Sequence, residues 1–167
     1  MRQRPSYKKS WPGKTLGELL NFLNERHPEG IYIKEVAARL GTTCQNISWM
    51  FSKDDMKLSK AEEIANRYGY TLRLYFPLRT YMNGITVPPA RRVFPNAGNL
   101  SGLVQYIYDS NYSINFVALQ MNCSPSLLAR AFNTGDVLLS TMYRITDQLG
   151  INVIWSFEPN EITDEQI

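Results

Sequence analysis

Residues 40–51 read LGTTCQNISWMF. Ile47, Met50 and Phe51 recur at i, i+3 and i+4, the mark of one buried face of a short helix. Gln45, Asn46, Ser48 and Trp49 then point elsewhere, which gathers amide and hydroxyl groups, able to donate and accept hydrogen bonds, beside an indole. Groups able to make and break bonds are not gathered in this way. The chain holds one histidine, His27, and its two cysteines, Cys44 and Cys123, lie far apart with no CxxC spacing. Neither a zinc site nor a disulfide framework follows from that arrangement. No glycine-rich phosphate loop, HExxH or nucleophile elbow occurs. The pairs Asp54-Asp55 and Glu62-Glu63 have no base or metal ligand to work with and read as solvated helix-end and helix-face charges. The expectation is a protein that is not an enzyme and that uses no metal and no cofactor.

The elements that must position these residues are bounded first by composition. A chain of 167 residues with 44% hydrophobic content fits one domain or two small ones and can bury a core. No apolar run approaches the roughly 18 to 20 residues needed to cross a bilayer, and the opening MRQRPSYKKSWPGK lacks the apolar centre of a signal peptide. A cytoplasmic location is expected. The net charge is +3, but five basic and no acidic residues fall in 1–14 and three and none in 77–98, against eight of each in 15–76. Residues 99–157 hold two basic and three acidic residues, and 158–167 four acidic ones. The positive excess therefore sits in an arm (Arg2, Arg4, Lys8, Lys9, Lys14) and a central connector (Arg91, Arg92), where it can meet phosphates. The plainer alternative is that a basic arm only keeps the chain in solution. The closing EPNEITDEQI reads as a solvated, frayed segment.

Shifted by 81 positions, residues 31–76 lie without a gap on 112–157, with ten identities: Ile33/Ile114, Val36/Val117, Ala37/Ala118, Phe51/Phe132, Asp55/Asp136, Leu58/Leu139, Ser59/Ser140, Ile64/Ile145, Gly69/Gly150 and Phe76/Phe157. The matches fall on apolar and turn positions, which are the ones a shared fold requires. Upstream, Leu16, Leu19, Leu20 and Leu23 correspond to Leu100, Leu103, Val104 and Ile107 at an offset of 84, with Thr15 and Asn99 as matching N-caps. The first copy thus carries extra loop residues around HPEG, which make His27 a surface histidine.

Each copy reads as four helices and a strand. The first has helices near 15–27, 33–40, 43–52 and 59–68 and the strand TLRLYF; the second has helices near 99–109, 114–121, 124–133 and 140–149 and the strand NVIWSF. The aliphatic and aromatic residues of the closing runs favour strands. Between the copies, Asn83-Gly84 flanked by β-forming residues signals a hairpin, and Pro88, Pro89 and Pro95 make a stiff connector. The expected organisation is a basic arm (1–14), a first helical domain (15–77), a hairpin and Pro-rich connector (78–98), a second helical domain (99–158) and an acidic tail (159–167).

From Ile33 onward the requirements of a helix-turn-helix appear in order. Val36 and Leu40 anchor the first helix, and Ala37 is small where the second helix crosses. Gly41 stands where the backbone must turn left-handed. Thr43 caps the next helix, and Ile47 and Met50 enter the core. This stretch resembles the lambda-type phage repressor and Cro (Xre) family, down to the LGTT that opens its recognition helix. KLSKAEEIANRYGYTLRLYF is similar to those members in which a last helix, a turn and a short strand complete the domain. The resemblance covers about 60 residues, and again, less closely, the second copy. It implies a mainly α fold with short β strands, arranged as two tandem lambda-repressor-like domains each closed by a C-terminal strand. It also implies a sequence-specific DNA-binding transcriptional regulator of phage or bacterial type, with helix 43–52 in the major groove and double-stranded DNA as partner.

In the matching positions stand Cys44, Gln45 and Trp49, with Asn46 and Ser48 alongside. The amide of Gln45 or Asn46 suits a bidentate contact to adenine, while Thr43, Lys53 and the helix start suit phosphate. Trp49 departs from the pattern, since a polar reader is usual there; it either packs on thymine methyls or buries against the other copy or another subunit. In the second copy Asn122 replaces the turn glycine, a residue that tolerates the left-handed region, and Pro125 fits a first helical turn. The outward set there is Ser124, Ser126, Leu127 and Arg130. Either both copies read unlike half-sites, or the second serves mainly assembly through Leu127, Tyr106 and Tyr108. Strands 71–76 and 152–157 expose unpaired backbone and seek a neighbour, within the chain or across a homodimer. The alternative function is a protein-interaction module with the same fold, an antitoxin-like partner or a phage assembly or host-takeover factor, that reads no bases.

Overall fold

The computed structural model of the protein describes residues 15–26, 31–77 and 95–160. The arm with Arg2, Arg4, Lys8 and Lys9, the loop with His27, the Asn83-Gly84 hairpin, the connector residues Arg91 and Arg92, and residues 161–167 lie outside the described residues. Among the described residues the fold is mainly helical, with eight α-helices and two short strands. The described residues divide into two compact units: one holds 15–26, 31–72 and 157–160, the other 73–77 and 95–156.

The first unit contains α1 (Gly17–Arg26), α2 (Ile33–Leu40), α3 (Cys44–Lys53) and α4 (Leu58–Arg67). Each buries residues at helical spacing: Leu19, Leu20 and Leu23 from α1; Ile33, Val36, Ala37 and Leu40 from α2; Ile47, Met50 and Phe51 from α3; Leu58, Ala61, Ile64 and Ala65 from α4. Burying a Leu, Ile or Phe side chain contributes about 1.5–3 kcal/mol, so these stripes set which face of each helix is left outward. The α1 terminus departs from expectation. Thr15 does not cap it; the N–H groups of Thr15 and Leu16 donate to Asp54 Oδ2 and Oδ1, both at 2.9 Å. Asp54 is therefore not simply a solvated helix-end charge. It ends α3 in the left-handed conformation (φ 56°, ψ 41°), which aims its carboxylate at the orphan donors of another helix.

The second unit contains α5 (Ser101–Asp109), α6 (Ile114–Gln120), α7 (Pro125–Thr134) and α8 (Leu139–Leu149). A 3-10 turn, Pro95–Leu100, precedes α5. Asn99 lies in that turn and does not cap the helix; its Oδ1 accepts the Leu74 N–H at 3.2 Å. Gly135 stands at the position equivalent to Asp54 and is likewise left-handed (φ 72°). A Cβ on Gly135 would come within 2.9 Å of the Asn96 carbonyl oxygen. The same backbone corner thus carries a capping carboxylate in one unit and a close backbone approach in the other.

Strands β1 (Tyr70–Tyr75) and β2 (Ile154–Pro159) form a two-stranded sheet. The bonds Asn160 N–H to Gly69 O and Asn152 N–H to Pro77 O, both 2.9 Å, make it antiparallel, with Leu72 opposite Phe157 and Leu74 opposite Trp155. Each copy ends in the expected strand, and the two strands pair with one another within the chain. Residues 70–72 and 157–159 belong to the first unit, 73–75 and 154–156 to the second. β2 also runs on to Pro159, and Asn160 beyond it is anchored, so residues 158–160 are not a frayed segment. The strands find their partners within one chain, and a homodimer through strands 71–76 and 152–157 would have to use their outer edges. No helix among the described residues is long and apolar enough to cross a membrane.

Candidate functional site

α2, the turn and α3 carry the residues singled out by spacing. Gly41 ends α2 at φ 68°, ψ 33°, and its N–H and that of Thr42 return to the carbonyls of Ala38 (3.2 Å) and Ala37 (3.0 Å). The left-handed residue reverses the chain while satisfying orphan helix carbonyls. Thr43 is the α3 N-cap, its hydroxyl accepting the Asn46 N–H at 3.1 Å. Below, Ile47 and Phe51 are fully buried and Met50 nearly so. Above, Thr43, Cys44, Gln45, Asn46, Ser48, Trp49 and Lys53 are all exposed. The structure therefore brings these seven together on the outer side of one capped helix.

Their surroundings separate them. The Asn46 amide donates to Thr42 Oγ1 at 3.0 Å, which ties it back to the turn and leaves Gln45 as the amide directed to solvent. Trp49 is 59% exposed, so among the described residues nothing buries it. Lys53 Nζ lies 3.7 Å from the centroid of its ring, a cation–π pair one helical turn apart. Lys53 is thus engaged by the indole as well as available to an anion.

The helix pair is braced from behind. Arg39 Nε donates to Glu35 Oε1 and Nη1 to the Arg67 carbonyl, each at 3.1 Å, and its guanidinium lies 4.3 Å from the Tyr68 ring centroid. These contacts tie α2 to the C-terminal end of α4. Burial, with the Glu35 carboxylate adding to it, pushes the Tyr68 phenol up to about 12 against the opposing charges of Arg39 and Arg26. Glu63 bonds Lys60 at 3.0 Å and lies 3.9 Å from Arg67, a helix-face role of the kind expected of it.

The equivalent face of the second unit is built alike and furnished differently. Ser124 caps α7 by accepting the Leu127 N–H at 3.2 Å, Pro125 occupies its first turn, and Asn122 is left-handed at φ 54° where Gly41 is in the first. Ser124, Ser126 and Arg130 are exposed. Where α2 carries Lys34, Glu35 and Arg39, α6 carries Asn115, Phe116 and Gln120. Phe116 stacks on Tyr112 at 5.2 Å, and Leu119 and Leu127 are 72% and 43% exposed. A cleft of about 330 Å³ between α6 and α8 is lined by Gln120, Met121, Asn122, Arg144, Asp147 and Gln148. Its Arg144 donates to the Met121 carbonyl at 2.5 Å and so serves the end of α6.

Comparison with protein-family models, with curated proteins and with solved structures finds no match to this chain. Among the described residues no three His, Cys, Asp or Glu side chains gather as a metal site. Two features of the site escaped the sequence reading. The Trp49–Lys53 and Thr42–Asn46 pairs were open to detection from their i, i+4 spacing on one helix. Lys34, in the first turn of α2, and Lys57, at the start of α4, are further exposed cations of this unit; only the helical framework separates them from other surface lysines.

Proposed function

We propose that the protein is a sequence-specific DNA-binding regulator of lambda-repressor and Cro type, built from two tandem helix-turn-helix domains that share their closing strands. α3 enters the major groove, Gln45 meets a base edge with Asn46 held beside it by Thr42, and bound protein occludes or modulates a promoter. The single observation that carries this reading is the corner at Gly41. A left-handed glycine joins α2 to a Thr-capped ten-residue helix that buries Ile47, Met50 and Phe51 and exposes every other candidate residue. A helix held on a rigid elbow with one polar side exposed has the shape and chemistry a duplex groove accepts. Thr43 and the exposed Lys34 and Lys57 supply phosphate contacts, and the basic arm adds more.

The test is selection of a duplex from a random pool, followed by binding titrations at 50 and 200 mM salt. Five neutralised phosphates correspond to a loss of about 500-fold between those concentrations. Affinity that is indifferent to salt, or a pool that yields no preferred duplex, rules the proposal out.

A second reading, a protein-interaction module, draws on the exposed Phe116, Leu119 and Leu127 of the second unit, in a segment poor in charge. Under it, Leu119→Asp abolishes assembly with a partner protein and leaves any duplex binding by α3 unchanged.

A further inference from the structure

The outward stripe of α3 has a chemistry that a uniformly polar reader lacks. Gln45, Trp49 and Lys53 recur at intervals of four residues and so lie along one side of the helix. The Lys53 ammonium sits over one face of the indole, 3.7 Å from its centroid. With that face occupied, the ring cannot slide between base pairs, which would require both faces to be bare. What Trp49 offers to a groove is its remaining face, its edge, and one N–H donor.

Among the base edges of the major groove, an apolar group next to an acceptor occurs only on thymine, which presents its C5 methyl beside O4. Guanine offers two acceptors without a methyl, and cytosine offers a donor. The indole matches the thymine edge on both counts. Four residues advance about 6 Å along a helix, and base pairs are spaced about 3.4 Å apart. Residues one turn apart on a helix lying along the groove therefore address positions about two base pairs apart.

We infer that Trp49, steadied by Lys53, recognises a thymine through its methyl group, about two base pairs from an adenine read by Gln45. The inference rests on the DNA-binding reading above and narrows it to sites that carry this A·T spacing. Trp49 is the specificity-determining residue and Lys53 its positioning residue.

The experiment replaces each thymine of the selected duplex in turn by uracil, which removes the methyl and keeps Watson–Crick pairing. Wild-type protein should lose about fourfold in affinity at one position, the worth of one buried methyl-sized group. In Trp49→Ala that sensitivity should vanish, so that the thymine and uracil duplexes bind alike. In Gln45→Ala it should persist. Trp49→Phe, which keeps an apolar ring, should retain part of it. Thermal melting of Trp49→Ala should match wild type, because the residue is exposed. If no duplex is enriched from the pool, the DNA-binding reading itself fails. If a duplex is bound but no uracil substitution matters, or the sensitive position remains sensitive in Trp49→Ala, the thymine inference is overturned and the reading stands.

Discussion

Replacing Phe157 by Ala should unfold the unit at the other end of the chain first. Phe157 closes the second sequence copy, yet its ring lies against α1 of the first unit, stacked on Phe22 at 4.1 Å with an interplanar angle of 15°. Phe22 is the centre of a small aromatic group. Tyr70 and Tyr68 meet it edge-on at 5.2 and 6.2 Å, and the Arg26 guanidinium lies 3.7 Å from its centroid. Truncating a fully buried Phe costs about 3–5 kcal/mol. Phe157 is only half-buried, so about 2 kcal/mol is expected, including about 0.5–1.5 kcal/mol for the stacked pair. For a unit of this size that corresponds to a fall of about 8–16 °C in melting temperature. Amide hydrogen exchange should accelerate in α1 and α4 before it does in α8. Glu158→Ala, on the same strand but exposed, serves as control and should change stability by less than about 0.5 kcal/mol. A Phe157→Ala protein that melts within about 2 °C of wild type, or that loosens α8 first, would refute the assignment of this half-strand to the first unit.

Three further outcomes follow from local geometry. Gly41→Ala should cost about 1–2 kcal/mol in chemical denaturation, from backbone strain alone, since nothing lies within 4 Å of the added Cβ; Gly41→Asn should cost less, as Asn122 adopts the same conformation. Asp54→Asn keeps the left-handed corner but loses the charge that accepts the Thr15 and Leu16 N–H groups, and should destabilise by about 1–2 kcal/mol with faster exchange at the start of α1. Tyr68 is raised from 10 to about 12 in the folded state. Its contribution is therefore intact below pH 10 and lost as pH rises through 12. Tyr68→Phe should flatten that part of the stability curve, as followed by phenolate absorbance and melting together.

The helices were legible because their signals are local. Capping residues, the αL glycine and apolar spacing all act within one or two turns, so α2 spans the expected 33–40 and α3 begins just after its Thr43 cap. The outward set on α3 followed from the same spacing, since placing Ile47, Met50 and Phe51 inward leaves the rest outward. What the sequence did not disclose is decided across long separations. Asp54 caps a helix 38 and 39 residues away, and nothing next to it distinguishes it from a surface carboxylate. Asn99 looked like a cap and instead satisfies the Leu74 N–H, a donor it meets only once the chain is folded. The strands were found, but which half of each belongs to which unit depends on register, and either register presents similar alternation along TLRLYF and NVIWSF. Trp49 was legible as an anomaly, and its pairing with Lys53 shows how the anomaly is held.

The central claim is that the outer side of α3 is the surface that meets a duplex. An NMR titration of labelled protein with the selected duplex tests it residue by residue. The account predicts that the backbone amides of 43–53 and the side-chain amide of Gln45 shift together, with the indole N–H of Trp49, while those of Phe116 and Leu119 stay in place. Shifts confined to α6 and the start of α7, with Gln45 and Trp49 unmoved, would contradict it.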